Sequence, residues 1–259
     1  MKKVYVVTTI GAALVSTIML RTSTRAVAAA PPSGIKNVVL VHGAFADGSG
    51  WEAVASILRK DGYTVSVVQH PETSYAEDVK FTKAVIGRQS GPVVLVGHSY
   101  GGAVITEAGN DPKVAALVYI AAFGLDAGES AATIEKAVPP ASTGIKPTDD
   151  GYFYIDPAVF AADFAADVPP AKAAFMAESQ VLISADSFTH AVTSPAWKSK
   201  PSWYMVATED RSINPNQERM MAKRMRAKTV EVKSSHVAYI AHPKETAQLI
   251  EEAGSSPKQ

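Results

Sequence analysis

The chain of 259 residues contains no cysteine. This absence excludes disulfide scaffolds, thiolate zinc sites, cysteine nucleophiles and acyl-anchored lipoproteins. An excess of charge of one sign is also lacking, because 25 basic side chains balance 25 acidic ones and leave a formal net charge of zero. Proteins that bind nucleic acid usually carry a basic surface, so no nucleic-acid partner is expected.

Only the N-terminus has an apolar run of the length that membranes or export machinery recognise. A lysine pair precedes the 17-residue apolar stretch Val4 to Leu20, and the small-residue segment 26–30 follows. This order predicts a signal peptide over residues 1–30, cleaved after Ala28 or Ala30, and hence a secreted or periplasmic protein. An uncleaved anchor is the alternative, although the run contains threonine and serine and is short for a membrane span.

The mature chain, residues 31–259, would carry a net charge of −4 and is not expected to insert stably into a membrane. It alternates short apolar runs with longer helical patterns, as one α/β domain does. The apolar runs predict strands at 38–41, 64–68, 93–96, 115–123, 203–207 and 229–232. Because these runs are continuously apolar, we expect a mostly parallel, doubly wound sheet of about six strands, with helices on both faces.

Segment 124–200 interrupts this alternation. It is rich in alanine, proline and aromatic residues and shows no strong strand, whereas 159–166 and 171–183 have helical patterns. The sequence therefore predicts that segment 124–200 is a helical insertion placed over the sheet. We refer to this segment as the lid.

The five residues that end at Gly101 read GHSYG and directly follow the strand at 93–96. G-x-S-x-G between a buried strand and a helix is typical of a nucleophile elbow, a sharp turn that raises a serine hydroxyl above the sheet. The glycines let neighbouring backbone pass closely, and the start of the helix favours a developing negative charge. The pattern predicts Ser99 as a nucleophile.

A serine hydroxyl needs a base to accept its proton, and the base needs an acid to orient it. His236 is the first candidate base, because it follows the last strand at the sheet edge where Ser99 emerges; His242 is the second. Asp210 follows strand 203–207 at the same edge and is favoured over Glu209, since its shorter side chain suits a tight loop. The chain order of serine, acid and histidine is that of G-x-S-x-G hydrolases.

Two backbone N–H groups should stabilise the oxyanion of an acyl-transfer reaction. Tyr100 supplies one, as the residue after the nucleophile. The loop after strand 38–41 supplies the other, with Ala44 the first choice and Phe45 the second. His42, in the same loop, is interpreted as a support for the loop.

The segments VVLVHGAFADGSGW and PVVLVGHSYGGAV, together with TEDRSINP and SSHVAYIAHP, resemble the α/β-hydrolase superfamily. The resemblance covers residues 36–253 and is to the small carboxylesterase branch, which includes plant methyl-ester esterases, plant hydroxynitrile lyases and bacterial relatives. It implies a triad of Ser99, Asp210 and His236, oxyanion donors at Ala44 and Tyr100, and a lid that lines the substrate pocket. It implies neither a cofactor nor a metal.

The same resemblance argues against lyase activity. The lyases of the branch carry a threonine where this chain has Gly43, and a lysine where it has Val237. Our first hypothesis is therefore a carboxylesterase that cleaves small uncharged esters, short-acyl or aromatic, through an acyl-enzyme. The alternatives are a catalytically weak small-molecule receptor of this fold and a cofactor-free perhydrolase that uses the same triad.

Overall fold

The structure, a computed structural model, describes residues 1–4 and 34–255. Most of the predicted signal peptide, residues 1–30, lies outside the described residues, so cleavage and export stay predictions. Among the described residues, no helix has both the length and the apolar character that a membrane crossing requires.

Strands and helices alternate through most of residues 34–255. The strands are β1 (Asn37–Val41), β2 (Thr64–Val67), β3 (Val93–Ser99), β4 (Val114–Ala122), β5 (Ile145–Pro147), β6 (Tyr152–Ile155), β7 (Ile183–Ser184), β8 (Ser202–Ala207) and β9 (Lys228–Val232). The α-helices are α1 (Glu52–Lys60), α2 (Tyr75–Gly87), α3 (Tyr100–Ala108), α4 (Ala131–Ala137), α5 (Pro157–Phe164), α6 (Pro170–Glu178), α7 (Ala185–Thr189), α8 (Pro215–Arg224), α9 (Ala238–Ala241) and α10 (Pro243–Ser255). Gly48–Trp51 and Ala196–Lys198 form short 3₁₀ helices.

The main sheet has the strand order β2-β1-β3-β4-β8-β9, and every neighbouring pair in it is parallel. All residues of β1, β3 and β8 are buried. Successive side chains of a strand point to opposite faces, so both faces of the sheet are covered. The six predicted strands and the parallel α/β fold are confirmed, with boundaries shifted by one to three residues.

The lid differs from its prediction in two respects. The helical patterns at 159–166 and 171–183 correspond to α5 and α6, but α6 ends at Glu178 and Ile183 lies in a strand. The lid also contains a small antiparallel sheet of order β5-β6-β7. Each of its strands has only two to four residues, and β5 ends at Pro147. Strands this short carry no recognisable periodicity, which is why the sequence did not predict them.

Candidate active site

The turn between β3 and α3 holds Ser99 in a strained conformation. Ser99 ends the strand, α3 begins at the next residue, and the φ angle of Ser99 is 52°. A Cβ on Gly97 would lie 2.5 Å from the carbonyl oxygen of Gly101, and one on Gly101 would collide with the carbonyl oxygen of His42. The two outer glycines of G-x-S-x-G are therefore required for close packing of the backbone.

Asp210 and His236 lie in the loops after β8 and β9, at the same edge of the sheet as Ser99. The Oγ atom of Ser99 lies 2.8 Å from Nε2 of His236, and Nδ1 of His236 lies 2.6 Å from Oδ2 of Asp210. A carboxylate only accepts, so Nδ1 carries the proton and donates to Asp210, which leaves Nε2 free to accept from the serine hydroxyl. The structure thus brings together the three residues that the sequence singled out.

Two backbone amides fix Asp210 in its loop. Its Oδ1 accepts from the N–H of Ser212 at 2.6 Å and from that of Ile213 at 2.9 Å. Oδ2 therefore stays available for His236. The side chains of Asp210 and His236 are buried, and Ser99 is 6% exposed. Burial keeps water from competing for these hydrogen bonds, which strengthens them.

A second carboxyl, Glu218 of α8, lies behind Asp210. It is fully buried, and its Oε2 accepts from the N–H of Ala207 at 3.1 Å. Burial raises the pKa of Glu218 well above its usual range, and the charge of Asp210 adds to this effect. Burial and the neighbouring Asp210 therefore both favour the neutral form of Glu218, which places no second negative charge beside Asp210.

The second-choice residues are not brought to the nucleophile. Nε2 of His242 lies 3.2 Å from the backbone oxygen of Lys233, and Glu209 forms an exposed ion pair with the same lysine. The geometry therefore favours His236 and Asp210 over these alternatives.

Ala44 and Tyr100, the predicted oxyanion donors, both line the pocket that contains Ser99 and His236. The amide of Tyr100 is at the first position of α3, where backbone N–H groups have no acceptor within the helix. Gly43 packs directly on the nucleophile, because a Cβ there would lie 2.7 Å from the Cβ of Ser99. The loop after β1 is thereby held against the elbow, as an oxyanion hole requires. Phe45, the second-choice donor, lines the same pocket.

A buried polar cluster behind this loop was not predicted. The rings of His42 and His70 stack, with centroids 3.7 Å apart. Oε1 of Glu72 lies 3.4 Å from Nδ1 of His42, and Oδ1 of Asp78 lies 3.5 Å from Nδ1 of His70. The burial of Glu72 has no clue in the sequence, because the covering segment is distant in the chain: the N–H of Ser184 in the lid donates to the backbone oxygen of Glu72 at 2.9 Å.

The shifted pKa values of Glu72 and His42 agree with a role in supporting the loop after β1. Burial raises the pKa of Glu72 well above its usual range, with Asp78 adding to the effect. Burial also lowers the pKa of His42, helped by His70. Burial therefore favours the neutral form of both groups. Nδ1 of His42 lies 3.0 Å from the carbonyl oxygen of Gly43, to which it can donate a hydrogen bond.

Within residues 1–4 and 34–255, one group of side chains has the spacing of metal ligands, and it belongs to this cluster. His42, His70 and Glu72 offer ligand atoms within 4.8 Å of one another. However, the two imidazole planes are inclined by only 15° and stacked. Imidazole binds a metal in the ring plane, through a nitrogen lone pair, so an ion shared by both rings would lie outside both planes. This arrangement is poorly suited to hold a metal.

The pocket above Ser99 is largely apolar and encloses about 430 Å³ of empty space, including its open mouth. Residues from the sheet loops and the lid line it together: Ala44, Phe45, Ser99, Tyr100, Phe123, Glu135, Pro140, Ser142, Ile145, Ile155, Phe164, Phe188, Ser212, Ile213 and His236. A small organic molecule with apolar groups fits such a lining.

A parallel sheet of this order, with a hydrogen-bonded serine, histidine and aspartate at its carboxyl edge, defines the class of α/β hydrolases. The model of the Alpha/beta hydrolase family matches residues 38–249, and the chain belongs to this family.

Individual relatives agree with this assignment. A carbendazim hydrolyzing esterase from Nocardioides sp. is 38% identical over 119 residues, a match that covers 40% of this chain and 49% of that esterase, about half its length. A pyrethroid hydrolase from Sphingobium wenxiniae is 26% identical over 253 residues, with 86% of this chain and 89% of the relative covered. The crystal structure of a pyrethroid hydrolase from Sphingobium faniae shares the fold, with a TM-score of 0.72, 23% identity, and coverage of 86% of this chain and 98% of that chain.

Proposed function

We propose that the protein is a serine hydrolase, a carboxylesterase that cleaves small uncharged esters with short acyl or aromatic groups. One observation carries the proposal: the continuous hydrogen-bonded chain from Ser99 through His236 to Asp210, with distances of 2.8 and 2.6 Å. The names of the two curated relatives, an esterase and a hydrolase, support hydrolysis as the reaction class.

In the proposed reaction, Oγ of Ser99 attacks the ester carbonyl carbon while Nε2 of His236 takes the hydroxyl proton. The carbonyl oxygen becomes an oxyanion, which the amides of Ala44 and Tyr100 stabilise. His236 then donates the proton to the leaving alcohol, and the acyl group remains on Ser99. Asp210 stabilises the transient imidazolium throughout.

The second half of the reaction repeats these steps with water. His236 removes a proton from water, and the hydroxide attacks the acyl-enzyme carbonyl. Collapse of the second oxyanion breaks the bond to Oγ of Ser99, which regains its proton from His236. An acid and an alcohol are the products, and the enzyme returns to its starting state.

The pocket lining supports small and mostly apolar substrates. Four phenylalanines and three isoleucines of the lid and the surrounding loops line the space above Ser99 together with Pro140. Among the described residues, no lysine or arginine lines the pocket, so a phosphate or polycarboxylate group would find no counter-charge from them.

Labelling with a fluorophosphonate, followed by peptide mapping, tests the proposal. We expect the label on Ser99, loss of labelling in Ser99→Ala, and a fall in kcat for p-nitrophenyl acetate by about 10⁴-fold or more. Ser49→Ala, an exposed serine outside the pocket, is the matched control and should label normally. Wild-type turnover in Ser99→Ala would refute the proposal, and binding with negligible turnover would indicate a receptor instead.

We also propose that the protein is exported. The lysine pair, apolar stretch and small-residue segment of residues 1–30 support this. Expression of the full chain should yield a mature protein that begins at Ala29 or Pro31, as N-terminal sequencing would show. An intact N-terminus in the exported fraction would contradict the cleavage.

A further inference from the structure

One carboxyl group in the pocket has no role in the proposed reaction. Glu135 is on α4 in the lid and lines the same pocket as Ser99 and His236. The helix that carries it is firmly placed: Ser130 and Thr133 form a capping box at its start, and α4 packs against α7. The position of Glu135 at the pocket is therefore a fixed feature of the lid.

The other polar side chains of the pocket are already hydrogen-bonded. Ser99 and His236 bond to each other, and the hydroxyl of Tyr100 donates to Asp78 at 2.7 Å. The hydroxyl of Ser142 donates to Oδ2 of Asp163 at 2.8 Å. That of Ser212 donates to the backbone oxygen of Asp163 at 3.0 Å.

Glu135 differs from all of these. Within residues 34–255, its carboxyl forms no hydrogen bond or ion pair, although the side chain is half-buried among apolar neighbours. A buried acceptor without a partner is costly, and sites of this kind gain selectivity when the ligand provides the missing partner. A molecule that fills the pocket and displaces solvent from Glu135 would leave this carboxyl without a partner unless it supplied a donor of its own.

We propose that Glu135 is a specificity-determining residue that accepts a hydrogen bond from a hydroxyl or N–H group of the substrate. The substrate class is then a small, otherwise apolar ester that carries one such donor away from the ester bond. This inference rests on the proposed esterase function and narrows it. A neutral donor agrees with the apolar lining, whereas a fully charged group would have to be desolvated among the pocket's hydrophobic side chains.

The protonation of Glu135 supports this role. Burial raises the pKa of Glu135 to about 7. The charged groups nearby are Lys136 on the same helix, Asp186 on the packed α7, the ion pair of Asp163 and Arg211 beside Ser142, and the triad itself. Burial alone accounts for the rise, so a substrate donor would meet a carboxylate that no cation neutralises above neutral pH.

The test compares pairs of esters that differ by one donor. In the first pair, 4-hydroxyphenyl acetate and 4-methylphenyl acetate place the donor or its methyl counterpart in the alcohol half. In the second pair, methyl (4-hydroxyphenyl)acetate and methyl (4-methylphenyl)acetate place it in the acyl half. The 3-substituted isomers of each complete the set. The measured quantity is the ratio of kcat/KM for the two esters of each pair. Both esters undergo the same bond cleavage, so a change that affects the triad equally for both cancels in this ratio.

The wild-type protein should prefer the hydroxyl member of at least one pair by about 10-fold or more, as expected for a hydrogen bond to a charged group. Glu135→Leu should reduce that ratio to about one or below. Glu135→Gln retains an acceptor oxygen and should keep part of the preference. In the wild type the ratio should increase with pH through neutrality as the carboxyl ionises, whereas in Glu135→Gln it should not change with pH.

Two failures are distinguishable. If the wild type turns over these esters with dependence on Ser99 but shows no preference in any pair, or if the preference survives in Glu135→Leu, the inference about Glu135 is wrong and the proposed function stands. If no ester is turned over and Ser99 is not labelled by a fluorophosphonate, the proposed function itself fails. Melting curves of both variants verify that the fold is intact; Glu135→Gln removes no hydrogen bond of the described chain.

Discussion

Nε2 of His98 lies 3.0 Å from the backbone carbonyl oxygen of His236, so the residue before the nucleophile holds the loop that carries the base. Burial lowers the pKa of His98 well below its usual range, with His236 as a further cause. A neutral His98 can donate from Nε2 to this carbonyl. The two rings also pack against each other, with centroids 4.7 Å apart. Because His98 is bonded to Ser99 in the chain and contacts His236 through space, it helps to set the distance between His236 and Ser99.

Replacement of His98 should displace the proposed base, His236, while leaving its imidazole in the site. His98→Leu loses the hydrogen bond, and kcat for p-nitrophenyl acetate should fall by about 3- to 10-fold with little change in KM. His98→Gln, which can still donate, should recover part of the loss. His190→Ala, on the exposed side of the lid, is the control and should leave kcat unchanged. Unaltered kcat in His98→Leu would show that His236 is positioned by other contacts.

The two neighbouring carboxyl groups, Asp210 and Glu218, should respond differently to amide substitution. Asp210→Asn removes the acceptor that orients His236, and kcat should fall by about 10⁴-fold. Burial favours the neutral form of Glu218, so Glu218→Gln should preserve kcat within about twofold and continue to accept from the N–H of Ala207. Steady-state kinetics on both variants provide the comparison. A loss in Glu218→Gln as large as in Asp210→Asn would mean that Glu218 takes part in proton movement.

Addition of one methyl group at Gly43 should impair the site. The new Cβ would lie 2.7 Å from the Cβ of Ser99 and 2.8 Å from Nδ1 of His98, closer than real contacts of this kind. The loop that carries Ala44 must then shift, and kcat/KM should drop by about 10²-fold. Gly87→Ala is the matched control, since nothing lies within 4 Å of a Cβ at that position. Equal kcat/KM in the two variants would argue against close packing of this loop on the nucleophile.

The raised pKa of Glu135 should also affect stability. In the folded protein this pKa is about 7, compared with 4.5 for an unperturbed glutamate. The unfolded chain therefore binds fewer protons between these values, and the folded state loses stability as pH rises from about 4.5 to 7. Glu135→Gln removes this loss. Relative to wild type, the variant should gain roughly 1–2 kcal/mol between pH 4.5 and pH 8 after allowance for partial exposure, a few degrees in Tm. A difference in Tm that does not change with pH would contradict the raised pKa.

The sheet and the three residues at its edge could be predicted from local patterns. Continuously apolar runs such as 93–96 predicted buried strands, and the residues that directly follow such strands must gather at one edge of a parallel sheet. Ser99, Asp210 and His236 each follow a strand in this way, and the structure places them within hydrogen-bonding distance of one another.

The parts that could not be predicted depend on packing between distant segments. Phe153 of β6 pairs with Ile183 of β7, and neither strand is long enough to show a period. Glu72 and Glu135 look like ordinary surface acids in the sequence. They become buried or half-buried only when the lid folds over the loops around Ser99. A local sequence pattern contains no information about which segments the lid covers. The burial of Glu72 and Glu135 and the small antiparallel sheet were therefore not predicted.

The lid leaves the main sheet after β4 and returns before β8, and these two strands are neighbours, with Leu117 opposite Ser202 and Ile120 opposite Met205. Direct pairing of β4 and β8 sets their register whatever the length of the inserted segment. Mutation and recombination can therefore exchange or lengthen the lid over evolutionary time while Ser99, Asp210 and His236 keep their places. The three residues of the proposed triad lie at the carboxyl edge of the sheet, whereas about half of the pocket lining comes from the lid, so the two can vary in separate stretches of one gene.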